Sequence, residues 1–94
     1  MKGLSRLHVT FSGRVQGVGF RAFISHAAVR YDLTGWVENM YDGTVCAEFQ
    51  GLRENIDMLL ARAASPDHRW INVEHISVEK LPPDPDERCF SVRG

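Results

Sequence analysis

The sequence predicts a two-layer α+β sandwich, with two helices on one face of an antiparallel sheet, in the order β-α-β-β-α-β plus a short extra C-terminal strand. Three patterns carry that expectation: a strand-like alternation ahead of a first helical stripe, a hairpin between two stripes, and further strand-like runs after the second. Each helical stripe is one-sided, so both helices belong over the same face of the sheet, as in a ferredoxin-like split βαβ arrangement. The chain has 94 residues, of which 44% are hydrophobic and 24% charged. That usage excludes collagen-like, mucin-like and disordered chains. A single domain over residues 1–94 is expected, because a chain of this length buries only about 60–65% of its unfolded surface and needs every element in one core.

The elements follow in order. Leu7, Val9 and Phe11 alternate with His8, Thr10 and Ser12, the period of a half-buried strand. Phe20, Phe23, Ile24, Ala27, Ala28 and Tyr31 then repeat at helical spacing, and the helix is expected to stop near Leu33, before Thr34-Gly35. Trp36 and Val37 open a second strand, Asp42-Gly43 provides a turn, and Val45, Ala47 and Phe49 alternate on the return strand. Leu52, Ile56, Leu59, Leu60 and Ala63 form a second stripe, closed by Ser65-Pro66. Ile71 and Val73 share one strand phase while Ile76 and Val78 share the other, which requires a bulge or bend near Glu74-His75. LPPDPDE reads as an exposed loop, and Cys89 to Val92 as a short last strand.

Charge and composition narrow the function classes. Eleven Lys+Arg against 12 Asp+Glu give a net charge of −1, which argues against a general nucleic-acid binder but not against a small anionic substrate. No apolar run approaches the roughly 20 residues of a membrane helix. The start MKGLSRLHV lacks the apolar core of a signal peptide. Cys46 and Cys89 are isolated, so they read as reduced thiols of a cytoplasmic protein rather than as zinc ligands. His8, His26, His68 and His75 show no metal-ligand spacing, and no metal site is expected. Asp84, Asp86 and Glu87, beside prolines, read as a solvated acidic loop rather than a calcium site.

The informative segment runs from Gly13 to Arg21, between the first strand and the first helix. A glycine-rich turn lets backbone N–H groups converge on an anion, and a helix N-terminus adds orphan donors and positive potential. Arg21 falls in the first helical turn, where a cation opposes the helix dipole by a few tenths to about 1 kcal/mol. A bound phosphoryl group between guanidinium and helix end would reverse that penalty. The alternative is a tight turn with Arg21 in water. The segment is neither a Walker loop nor a dinucleotide fingerprint. A second feature is Asn39, at the end of the strand that opens near Gly35; its amide could hold a water by its carbonyl, or could simply be a turn residue.

The stretches GRVQGVGFRAF and GWVENMYDGTV resemble the two signature motifs of acylphosphatases, in order and at family-like separation. The resemblance extends from the first strand through both helices and the hairpin to the FSVRG ending. It implies hydrolysis of the carboxyl-phosphate bond of small acyl phosphates. By that resemblance Arg21 and the backbone of Val15, Gln16, Gly17, Val18, Gly19 and Phe20 bind the phosphate, and Asn39 orients the attacking water. It implies no metal and no organic cofactor. A monomer acting on a small acyl phosphate is expected, with neither nucleic acid nor membrane as partner. The alternatives are a phosphate or acyl-phosphate sensor without turnover, and an RNA-binding module of the same strand order, although TVCAEF lacks the basic-aromatic pattern of such modules. Three positions depart from the family pattern: Asp32, where many relatives carry glycine; Cys46, in place of a commonly acidic or polar residue; and the Arg93-Gly94 ending, which leaves the bracing of Arg21 open.

Overall fold

A computed structural model of the chain describes residues 3–65 and 69–94. Pro66 and His68, named above as a helix terminator and a non-ligand histidine, lie outside the described residues. The elements are β1 (Leu4–Arg14), α1 (Phe20–Arg30), β2 (Thr34–Asn39), β3 (Val45–Leu52), α2 (Arg53–Ala64), β4 (Asn72–Leu81) and β5 (Phe90–Arg93). They form one five-stranded sheet in the order β4-β1-β3-β2-β5. The first four strands are antiparallel neighbours, as the sequence predicts, but β5 runs parallel to β2 and makes the sheet mixed. The cause is topological. Strand β4 finishes at Leu81 beside Arg6, near the start of β1, so the following loop crosses that end of the sheet and enters β5 in the direction of β2.

The apolar phases meet between sheet and helices. Leu7, Val9 and Phe11 of β1, Val37 of β2, and Val45, Ala47 and Phe49 of β3 are buried with Phe20, Ile24, Ala27 and Ala28 of α1 and Ile56, Leu59 and Ala63 of α2. Leu52, counted above in the second stripe, is exposed and precedes the helix. Helix α1 ends three residues earlier than expected. Its last turn closes with Leu33 N–H on the Ala28 carbonyl (2.8 Å) and Asp32 N–H on the Val29 carbonyl (3.2 Å), while Asp32 takes φ 55°. This is a Schellman closure, whose left-handed residue is usually glycine. Asp is tolerated there at a cost of about 1–2 kcal/mol.

The phase change in β4 is resolved by the bulge that the sequence demands. Ser12 pairs with His75 and Gly13 with Val73, so Glu74 is the extra residue. Gly13 fits because a Cβ there would collide with the Asn72 carbonyl and the Glu74 amide. Gly35, at φ 134°, is pressed in the same way against the Glu48 carbonyl of β3.

The face without helices carries a polar network. Arg6, 7% exposed, grips Glu87 through Nη1 (2.8 Å) and Nη2 (3.1 Å), and Glu48 through Nε (3.0 Å). His8 Nδ1 donates to Glu48 Oε2 at 2.9 Å, and the Thr34 hydroxyl donates to Glu87 at 2.7 Å. The loop was therefore not wholly solvated as expected: Glu87 is a structural anion that shares the buried charge of Arg6 with Glu48. Gln50 completes the clasp, accepting from the Asp84 amide (2.7 Å) and donating to its carbonyl (2.8 Å). Cys46 is buried and Cys89 exposed, and both are free thiols.

Burial pushes the Glu48 carboxyl up, but hydrogen bonds from His8 and Arg6 outweigh it and hold the group below the ordinary glutamate value. A carboxylate held low in the folded state contributes stability above its unfolded pKa, and that contribution is lost as pH falls through the folded value. Denaturant unfolding followed from pH 7 down to pH 3 is expected to show a loss that is smaller in Glu48→Gln, which has no charge to lose there.

Candidate active site

The site lies at the end of the sheet where β1, β2 and β5 finish and α1 begins. Phe20, the first helical residue, is buried edge-on against Phe11, with ring centroids 5.0 Å apart. That contact nails the helix N-terminus to the end of β1 and turns the next residue, Arg21, toward the rim. Val15 plugs the core, and its N–H donates to the Gly13 carbonyl at 3.1 Å. The chain between them turns through Gly17 (φ 75°) and Gly19 (φ 82°). Gly19 is the residue preceding α1 and has no side chain with which to cap it. Among the described residues, no protein acceptor takes the amides of residues 16–20, nor those of Arg21 and Ala22 in the first helical turn. A run of uncommitted N–H groups at a helix N-terminus is an anion cradle, since both donors and dipole favour negative charge.

A cavity of about 310 Å³ opens over this cradle, lined by Val15, Gly17, Gly19, Phe20, Arg21, Ala22, Asn39 and Val92. Arg21 and Asn39, 18 positions apart in sequence, therefore share one cavity. Arg21 Nη1 donates to the Arg93 main-chain carbonyl at 3.0 Å. Asn39 Oδ1 is buried and has no hydrogen-bond partner among the described residues. A buried acceptor left unpaired costs about 1–3 kcal/mol, so the fold holds it there against its own stability.

Two of the expected loop residues do not line the cavity. Val18 packs against the core. The Gln16 side chain reaches away and donates from Nε2 to the carbonyls of Met40 and Thr44, both at 2.8 Å. It ties the loop to the hairpin that follows Asn39, which fixes the cradle relative to that amide. The hairpin is tightened from within: Asp42 accepts from the Thr44 hydroxyl (2.7 Å) and amide (3.0 Å), and these bonds hold its carboxyl below the ordinary value. Val92, Ala22 and the Arg93 carbonyl were not among the sequence-derived candidates. The FSVRG ending marks the neighbourhood, but a main-chain acceptor leaves no signature in residue type.

The sequence profile of the acylphosphatase family matches residues 7–92. The chain belongs to the acylphosphatase family. An acylphosphatase of Geobacillus thermodenitrificans is 40% identical over 89 residues, covering 95% of this chain and 94% of its own. Among solved structures, an acylphosphatase from Coxiella burnetii superposes with TM-score 0.83 at 34% identity, covering 98% of this chain and 95% of its own. The Bacillus subtilis acylphosphatase gives TM-score 0.85 at 30% identity, covering 96% and 99%. The acylphosphatase fold thus extends over nearly the whole chain, and the cavity described above lies within it.

Removing the Gln16 side chain breaks two hydrogen bonds and detaches the loop from the hairpin. Gln16→Ala is expected to lower the unfolding free energy by about 1 kcal/mol, read from the urea midpoint at constant m.

Proposed function

We propose that this acylphosphatase hydrolyses the carboxyl-phosphate bond of small acyl phosphates by in-line attack of a water aimed by Asn39 on a phosphoryl group held by Arg21 and the amides of the 15–20 loop. Acyl-phosphate hydrolysis is the activity that family membership carries. The assignment of roles rests above all on Asn39, which lines the same cavity as Arg21 and whose buried Oδ1 has no hydrogen-bond partner among the described residues. A carbonyl oxygen without a protein partner can accept a hydrogen bond from water and turn the water's lone pair toward phosphorus. The planar guanidinium donates to two phosphoryl oxygens, and the loop amides meet the third. Within the loop, the Val15 amide already serves Gly13, which supports residues 16–20 as the principal donors.

Charge and geometry supply the catalysis in this reading. Phosphoryl transfer needs positioning and stabilisation of the equatorial oxygens more than covalent help. As water attacks, the phosphorus–oxygen bond to the acyl group breaks and the carboxylate leaves with the electron pair. The carboxylate is a weak base, so no strong general acid is required. The water's proton passes to a non-bridging phosphoryl oxygen, giving carboxylate and dihydrogen phosphate. The cavity lining contains no histidine, cysteine or carboxylate side chain. The free thiols suit a cytoplasmic setting.

Hydrolysis of benzoyl phosphate in the presence of a chelator tests the assignment. Arg21→Ala should lower kcat by at least about 10²–10³-fold, and Arg21→Lys should recover little, because a point charge cannot reproduce the fork. Asn39→Ala should lower kcat more than it raises KM. An Asn39→Ala variant that keeps kcat while KM rises would contradict the water-aiming role.

After correction for substrate ionisation, kcat should be flat between about pH 5.5 and 7.5, the window in which an essential histidine would show. A histidine-like inflection there would overturn proton transfer to the substrate.

A further inference from the structure

We propose that Trp36 and Arg93 act as a positioning pair that fixes the aim of Arg21. The inference rests on the reading of Arg21 as the phosphoryl-binding cation. Among the described residues, the one hydrogen bond of the Arg21 guanidinium is to the main-chain carbonyl of Arg93, at 3.0 Å. Where that carbonyl sits therefore decides where the guanidinium points.

Arg93 is the last residue of β5, a four-residue edge strand whose ladder partner is β2 alone. The end of so short an edge strand is the first place a sheet frays. Its side chain supplies the missing restraint. The Arg93 guanidinium lies over the indole of Trp36, 4.6 Å from the ring centroid, well within cation–π range. Trp36 pairs with Ser91 across the β2–β5 ladder, so Arg93 is its diagonal neighbour on the same face of the sheet. Glu38, the register partner of Arg93, offers a carboxylate nearby. Yet among the described residues the Arg93 side chain makes no ion pair, and its interaction is with the ring.

The ring is itself held. His8 packs edge-on against Trp36 at 6.0 Å between centroids, and His8 is fixed by Glu48, which is fixed by Arg6. A line of contacts thus runs across the face without helices, from Arg6 to Trp36, and passes at Arg93 from side chain to main chain and on to Arg21. Neither Trp36 nor Arg93's side chain lines the cavity, so any effect of theirs on catalysis must be indirect.

The test uses benzoyl phosphate hydrolysis and competitive inhibition by inorganic phosphate. Trp36→Leu and Arg93→Met are each expected to raise KM and the phosphate inhibition constant about three- to tenfold. The double variant should be no worse than the more affected single, because either change breaks the same contact. Trp36→Phe and Arg93→Lys, which keep a ring and a cation, should recover most of the loss. Arg93→Met removes little buried surface and keeps the question answerable should Trp36→Leu fold poorly. Phosphate inhibition within twofold of wild type in both single variants, additive losses in the double, or no recovery by the conservative pair would each overturn the proposal. If Arg21→Ala abolishes turnover while the pair has no effect, only the positioning role falls. If Arg21→Ala keeps wild-type turnover, the phosphoryl-binding assignment falls and takes the positioning role with it.

Discussion

The active end of this molecule depends on one contact, the burial of Phe20 against Phe11. It brings the N-terminus of α1 to the end of β1, so that the intervening turn must be tight and must leave its amides facing outward. From that single constraint follow the concave run of donors, the outward direction of Arg21, and the closeness of the helix to the ends of β2 and β5. Asn39 and Arg93 arrive at the same rim because both terminate strands that run in the direction of β1. The site is thus assembled from ends of elements, while the elements themselves are packed for stability alone.

The opposite end of the sheet is built on different physics. There the connection between β4 and β5 must cross three strands, and it is secured by ion pairs and side-chain clasps rather than by apolar packing. Arg6 and Gln50 are the buried anchors, and Glu87, Glu48 and the Asp84 main chain are what they hold. A charge as buried as that of Arg6 is favourable only when its donors are all engaged, and two carboxylates engage them. Hydrogen bonding to Glu87 accordingly pushes the arginine further toward its charged form, against the opposing effect of burial. The return loop fixes the start of β5, and therefore the path on which Arg93 reaches the rim.

Much of the fold was legible in the sequence because burial writes itself as period. The alternation of Leu7, Val9 and Phe11, the two helical stripes and the clash of phase at Glu74 each specify local geometry, and the structure has each of them. The direction of β5 was not legible, since it follows from where the loop crosses and not from any residue pattern. The role of Glu87 was hidden for a related reason: its partner Arg6 is 81 positions away, and an acidic residue beside prolines looks the same whether solvated or paired. Within the site, Arg21 stood out because a cation at a helix N-terminus is locally unfavourable. Asn39 read equally as a turn residue, and the sequence carries no sign that its oxygen lacks a partner among the described residues. Gln16 shows the limit of motif reading. It sits in the middle of the glycine-rich stretch, yet its side chain serves the hairpin.

The two glycines of the cradle differ in kind from those inside the sheet. At Gly13 and Gly35 a methyl group would strike neighbouring backbone, whereas around Gly17 and Gly19 there is nothing within 4 Å of where one would sit. What excludes other residues from the loop is chirality rather than bulk. A D-alanine installed by chemical synthesis at either place would find its preferred torsion, while its L-enantiomer would be strained. The shape of the loop is, in that sense, written in stereochemistry.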